Sequence, residues 1–181
     1  MWRQEDIFFG AFGGGGAGNL IATPEEIADR AIAGDFRCLP ACPFMHGTAH
    51  WMAFTALLTG GAVIIDSVRG LNPDHVWDLV ATERVNFLVI VGDAMGRPLV
   101  EALEKSSSPP DLSGLSLLLS GGAILSPTVK KSLAAALPNT IVLDGIGSSE
   151  AGGQGQMVAS ADGEMPAQPR FVMNDETIVL N

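Results

Sequence analysis

The 181-residue sequence predicts an α/β fold, a mainly parallel sheet flanked by helices. Two observations carry this. Aliphatic and β-branched runs of strand length, Ala62-Val63-Ile64-Ile65 and Phe87-Leu88-Val89-Ile90-Val91, alternate with longer segments that bear helix start signals, as repeated βα units do. The glycines, 22 in all, gather at 13–18, 121–122, 145–147 and 152–155. Two of these clusters follow predicted strands, at the carboxyl ends where open α/β sheets bind ligands.

Thr23-Pro24-Glu25-Glu26 supplies an N-cap, a first-turn proline and early carboxylates, and Ile27, Ala28, Ala31 and Ile32 follow at helical spacing. A helix is expected over 24–33, closed by Gly34. Phe36 to Leu39 is a short apolar run ended by Pro40, whereas Thr48 to Leu58 is almost wholly apolar, free of proline and too long for a strand. The latter reads as a buried helix. Ala62 to Ile65, between Gly61 and Asp66, reads as a strand buried on both faces. Asn72-Pro73-Asp74 starts a helix through Thr82, Phe87 to Val91 is the next strand, Ala94 to Leu103 the next helix, and Lys105 to Pro110 a solvated loop. Leu115 to Leu119 is a strand that runs into Ser120-Gly121-Gly122-Ala123. Ser126-Pro127 begins a helix to Leu137, and Thr140 to Leu143 is the last clear strand. From Gly145 the chain is glycine-rich, with Thr177 to Leu180 as the one strand-like run beyond Gly163. The expected organisation is a helical and Gly-rich segment over 1–35, an α/β subdomain over 36–155, and a loosely structured tail with a short strand over 156–181. No internal repeat is present.

Composition narrows the function. A chain that is 47% hydrophobic buries a core of ordinary single-domain size. A formal charge of −10 with ten Lys and Arg argues against nucleic acid as a partner, because phosphate binding needs a basic patch. The start Met1-Trp2-Arg3-Gln4-Glu5-Asp6-Ile7 lacks the basic and apolar regions of a signal peptide, and no window reaches the ~18 apolar residues of a membrane span. Cys38 and Cys42 are too few and too close for a disulfide scaffold, so a reducing cytoplasm is the simplest compartment.

The chemistry-bearing residues lie in the two loops after predicted strands. Ser120-Gly121-Gly122-Ala123 lets backbone groups approach a flat ring without an intervening Cβ, and it also reads as a tight strand-to-helix turn. Asp144-Gly145-Ile146-Gly147-Ser148-Ser149-Glu150 sets hydroxyls suited to phosphate oxygens and a carboxylate suited to Mg²⁺ after flexible backbone. Its plainer reading is a polar loop with a solvated acid. Cys38, Cys42, His46 and His50 form a Cys₂His₂ set by type, but Pro40 and Pro43 break any single helix that would gather them, and the spacings are not those of a zinc finger. Gly13 to Gly16 lacks the Gly-Lys-Ser/Thr ending of a phosphate loop and reads as a flexible loop. Met45, Trp51, Met52 and Phe54 read first as core, with an acyl tunnel as the functional alternative. A dinucleotide-binding dehydrogenase is excluded because no Gly-x-Gly-x-x-Gly follows the first strand with an acid ~20 residues later.

Taken together, the two loops resemble the adenylate-forming superfamily of acyl-CoA synthetases, luciferases and peptide-synthetase adenylation domains. Pro43-Phe44-Met45-His46-Gly47, Gly60-Gly61-Ala62-Val63-Ile64, Val85-Asn86-Phe87-Leu88 and Asp111-Leu112-Ser113-Gly114-Leu115 extend the likeness over about residues 36–155. The pattern is most similar to fatty-acid and steroid-acid CoA ligases, and Met1 to Phe9 resembles the segment after their phosphate-binding loop. The resemblance implies a subdomain of the acyl-CoA synthetase N-terminal domain. Gly121, Gly122 and Ala123 would line adenine, with Asp144, Gly145, Ile146 and Gly147 completing the nucleotide site. Ser149 would contact the α-phosphate, Glu150 would hold Mg²⁺, and His46 and Gly47 would border the acyl substrate. Where the family has an aromatic residue to stack on adenine, this chain has Ile146. ATP or AMP, Mg²⁺ and CoA are the implied cofactors, and a fatty or steroid carboxylic acid is the implied substrate. A homo-oligomer of the full-length protein is compatible with the family. The phosphate loop, a Thr-Gly-Asp segment and the C-terminal domain with its catalytic lysine have no counterpart here. The chain is therefore expected to be a central part of such an enzyme, inactive alone; a non-catalytic nucleotide- or partner-binding module derived from the fold is the rival reading.

Overall fold

The computed structural model describes residues 2–10, 23–159 and 170–173. The chain runs α1 (Gln4–Gly10), α2 (Pro24–Ala33), β1 (Arg37–Pro40), α3 (Gly47–Leu58), β2 (Ala62–Val63), α4 (Pro73–Thr82), β3 (Phe87–Ile90), α5 (Gly92–Lys105), β4 (Leu117–Gly121), α6 (Pro127–Ala136), β5 (Ile141–Ser148), β6 (Gly152–Ala159) and β7 (Val172–Met173). One seven-stranded sheet forms in the order β2-β1-β3-β4-β5-β6-β7. The first five strands are parallel, and β6 and β7 add antiparallel. The predicted α/β class is the observed one.

Local chemistry accounts for the elements. Asn72 accepts a hydrogen bond from the His75 amide at 3.2 Å and caps α4, and Ser126 accepts from the Val129 amide at 3.4 Å and caps α6. In both helices a proline follows the cap, where its missing N–H costs nothing. All four residues of β3 are buried, as expected of a central strand with helices on both sides. Right-handed crossovers place α3, which links β1 to β2, on the opposite face from α5 and α6. On that second face α4 packs on α5 and α5 on α6. Trp77 of α4, 2% exposed, donates its indole N–H to the Leu99 carbonyl of α5 at 2.9 Å.

Four expectations need correction. The Ala62 to Ile65 run is not buried on both faces: only Ala62 and Val63 pair, at the sheet edge beside β1, and Ile65 is 60% exposed. The sheet order explains this, since no described strand lies outside β2. The α5 helix begins at Gly92 and tolerates Pro98 within it, so it is longer than 94–103. The strand expected to end at Leu143 continues through the glycine-rich motif to Ser148. Gln156 to Ala159, expected to begin a loose tail, continue the strand that starts at Gly152, so the 155/156 boundary falls inside β6. The Gly13 to Gly16 run and Thr177 to Leu180 lie outside the described residues.

Trp77→Phe removes the buried N–H that ties α4 to α5 and should lower stability by about 2 kcal/mol, read as a reduced midpoint in urea unfolding.

Candidate functional site

In-register parallel pairing brings the two predicted loops to one edge of the sheet. Ile90 pairs with Ser120, Ser120 with Asp144, and Gly121 with Gly145. Side chains alternate across the strands, and the two faces are used differently. Ser120 and Asp144 point to the helices α5 and α6: the Ser120 hydroxyl oxygen accepts from the Gly92 amide at 3.0 Å, and Asp144 meets Lys130 of α6. Gly121 faces α3 instead, where a Cβ on it would stand 3.6 Å from Thr48 Cγ2 and from the Gly145 carbonyl oxygen. Both glycines therefore face α3, Gly121 buried beneath Thr48 and Gly145 half-buried.

The Gly121-Gly122-Ala123 loop is held from behind by the start of α5. The Asp93 amide donates to the Ile124 carbonyl at 3.0 Å, and the Asp93 carboxylate accepts from the Ser126 amide at 2.7 Å. Burial works to raise the Asp93 carboxyl, but the hydrogen bonds from Ser126 and the neighbouring Arg97 outweigh it and hold the group below its ordinary value. Gly122 has φ +87°, and a Cβ there would sit 3.1 Å from Thr48 Oγ1, so both conformation and space favour glycine. Ala123 is exposed at the loop tip.

Beyond Gly145, β5 and β6 form a hairpin whose register shifts between Ile146 and Gly147: Ile146 pairs with Gly155 and Gly147 with Gly153, leaving Gln154 as the extra residue of a bulge. A side chain on Gly147 would collide with the Gly152 carbonyl. Ile146 is 42% exposed. The Ser148 hydroxyl accepts from the Ala151 amide at 3.2 Å and closes the turn that carries Ser149 and Glu150, both exposed. Trp2, ahead of α1, donates its indole N–H to the Ser149 carbonyl at 2.6 Å.

Asp144 behaves differently from its neighbours in the motif. It is 2% exposed, and its Oδ2 lies 2.6 Å from the Nζ of Lys130, itself 0% exposed. Burial pushes the Asp144 carboxyl above its ordinary value, and Lys130 works against that rise. The contact is off the hydrogen-bonding direction, so Nζ is left without a well-directed acceptor. The side chain thus serves the α6 face, and only the backbone of Asp144 borders the α3 side.

Ahead of α3, His46 is the N-cap residue, exposed and with its own amide bonded to the Pro43 carbonyl at 3.1 Å. Gly47 opens the helix under the Trp51 ring, where a Cβ would come within 3.1 Å. The strand order reverses between β1 and β3, so the crevice expected at a topological switch lies between the 41–47 segment and Gly92-Asp93. Thr48, next to Gly47, lies close to Gly121 and Gly122 of the glycine loop. Among the described residues no three metal-binding side chains gather, the Cys38, Cys42, His46 and His50 tetrad included. Cys38 and Cys42 are free and buried in the core, and Met52 packs against that core, whereas Met45 is 85% and Phe54 39% exposed.

Three residues at this site were not singled out by sequence. Thr48 gave no signal within an apolar run. Asp93 sits in a strand-to-helix turn that reads as solvated. Lys130 lies in a Lys-Lys pair that reads as a wet helix face, although an acid ending the apolar run Thr140 to Leu143 implied a buried partner.

The sequence of the AMP-binding enzymes matches residues 17–181 as a family. This chain belongs to that family. As an AMP-binding enzyme it is 42% identical over 160 residues to a medium-chain acyl-CoA ligase of Mycobacterium avium, covering 85% of this chain and 28% of that protein. A medium/long-chain fatty-acid and 3-oxocholest-4-en-26-oate CoA ligase of Mycobacterium tuberculosis is 37% identical over 184 residues, covering 100% of this chain and 33% of its own. Solved structures repeat the fold: a long-chain fatty-acid CoA ligase of Archaeoglobus fulgidus superposes with TM-score 0.59 at 17% identity, over 72% of this chain and 29% of that one. An amide bond synthetase of Marinactinospora thermotolerans gives TM-score 0.59 at 23% identity, over 74% and 26% respectively. The AMP-binding chain thus spans about a third of the length of the curated relatives it matches. Among the described residues no helix is long and apolar enough to cross a membrane.

Burial pushes the two thiols up from an ordinary 9.0, Cys38 to about 12 and Cys42 to about 11. A raised folded value means that their contribution to stability is complete below pH 9.0 and is lost as pH rises through the folded values. Iodoacetamide at about pH 8 should leave both thiols unmodified in the native protein and alkylate both in urea, and the urea midpoint should fall above pH 9.0.

Proposed function

We propose that this chain forms the adenine and Mg²⁺ side of an ATP-dependent acyl-CoA synthetase, which adenylates a carboxylic acid and then transfers the acyl group to CoA. One observation carries the reading: Gly121 and Gly145 pair at the same strand end, on the face toward α3, within a chain 42% and 37% identical to named CoA ligases. Medium- and long-chain fatty acids and steroid acids, named for those relatives, are the proposed substrates. The complete reaction needs the phosphate loop and catalytic lysine that the described residues do not supply, so this chain by itself is inactive. Its free, buried thiols agree with a reducing cytoplasm.

The residues divide the work. Gly121, Gly122, Ala123, Gly145 and Gly147 offer backbone groups to the adenine ring, and Ile146 gives it apolar contact. Ser149 donates its hydroxyl to the α-phosphate. Glu150 fits a Mg²⁺ role: it is exposed on a tight turn, and Mg²⁺ is commonly held by one or two carboxylates together with substrate phosphates rather than by an all-protein cage. When bound, the ion neutralises phosphate charge as pyrophosphate departs. His46 and Gly47, with Thr48 beside them, border the acyl carboxylate and orient it toward the α-phosphate, where attack forms the acyl adenylate. A non-catalytic module remains the second reading, favoured by the loss of the stacking aromatic at Ile146.

In the full-length protein, Glu150→Gln should abolish fatty-acid-dependent ATP–pyrophosphate exchange while leaving the unfolding transition unchanged; exchange at the wild-type rate would exclude the Mg²⁺ role. Ile146→Tyr should tighten AMP binding by about tenfold, since stacking on a base contributes roughly 1–3 kcal/mol. Equilibrium titration of AMP checks this, and unaltered affinity would place adenine elsewhere.

A further inference from the structure

We propose that Lys130 and Asp144 form a positioning pair, which braces the back of β5 so that the strand delivers Ser149 and Glu150 to the site on its other face. The inference rests on the nucleotide-site reading above and assigns a role to two side chains that face away from that site.

The pair is an unusual place to find charge. Its side chains are 0% and 3% exposed and 2.6 Å apart. A buried ion pair is a poor source of stability, because desolvating both ions offsets their attraction, and apolar replacements are often neutral or better. What it supplies is a buried attachment between α6 and β5. Lys130 reaches Asp144 from α6 on one side, and on another its Nζ stands 5.7 Å from the Phe171 ring centroid. Phe171 directly precedes β7, and β7 pairs with β6 through Met173 and Gly155. One ammonium group therefore stands between α6, β5 and the Phe171 ring that leads into β7, whose partner β6 flanks the Ser149-Glu150 turn.

The stretch after Asp144 needs such a brace. Gly145 and Gly147 place few restrictions on their own backbone, and the ladder to β6 is broken by the bulge between Ile146 and Gly147. Asp144 is the last residue of β5 whose side chain is fixed in the core before that stretch. Holding it sets the direction in which the glycine segment leaves the sheet. On the front face, neither Gly121 nor Gly145 carries a side chain. The bracing consequently comes from the back.

The test compares the full-length protein with the Lys130→Met/Asp144→Leu double variant and with the near-isosteric Asp144→Asn. The double variant should keep its melting temperature within about 3 °C, while the amides of Gly145 to Ser148 exchange with solvent at least about tenfold faster. With a medium-chain fatty acid, kcat for ATP–pyrophosphate exchange should fall about 10- to 100-fold, with KM for ATP changed less than about threefold. Asp144→Asn should show the same loss of amide protection and of kcat. Wild-type protection and kcat in either variant would overturn the proposal. So would a double variant without a cooperative unfolding transition, because the pair would then serve stability. A wild-type protein devoid of exchange activity would refute the ligase reading alone, and amide protection would then decide the positioning claim by itself.

Discussion

Parallel pairing in register at the centre of the sheet is the constraint from which the site follows. Parallel strands connected by helices all end at the same edge, so β3, β4 and β5 deliver Val91-Gly92, Gly121-Gly122 and Gly145-Ile146 to one place. The two-residue alternation of a strand then sorts the neighbours of these loops. Ser120 and Asp144 become part of the interior beneath α5 and α6, while Gly121 and Gly145 face α3. A slip of one residue in β5 would exchange these roles, exposing a carboxylate on the ligand side and leaving Lys130 buried without a partner. The site and the core therefore specify one another.

The helices contribute more than cover. The start of α5 holds the glycine loop through Gly92 and Asp93, and α6 holds β5 through Lys130, so two helices on one face fix two loops that work on the other. From the opposite side, Thr48 in the first turn of α3 comes close enough to Gly121 and Gly122 that neither position has space for a large side chain. Under the proposed nucleotide role, binding energy would come from preorganised backbone rather than from many charged side chains, which agrees with the acidic composition of the chain.

Much of this could be read from the residues. The proline-after-cap starts at Asn72 and Ser126, the aliphatic run of β3 and the glycines at 121 and 145 state their structure locally, because capping, β-branching and absence of a Cβ act within a few residues. The glycine-rich β6 was illegible for the converse reason. Its residues have poor strand propensity, and the strand exists because β5 offers a partner across a short turn. The edge position of β2 depends on sheet order, which no local pattern encodes. Lys130 escaped notice because a lysine beside Lys131 looks solvated until the tertiary fold places Asp144 against it.

Calorimetry of a non-hydrolysable acyl-adenylate analogue titrated into the full-length protein tests the central claim, that the two glycine loops form one nucleotide site. The account predicts saturable one-to-one binding that is lost in Gly122→Val, where φ +87° and the nearness of Thr48 exclude a β-branched side chain from the observed loop. Absence of binding by the wild-type protein, or undiminished affinity in a folded Gly122→Val variant, would contradict it.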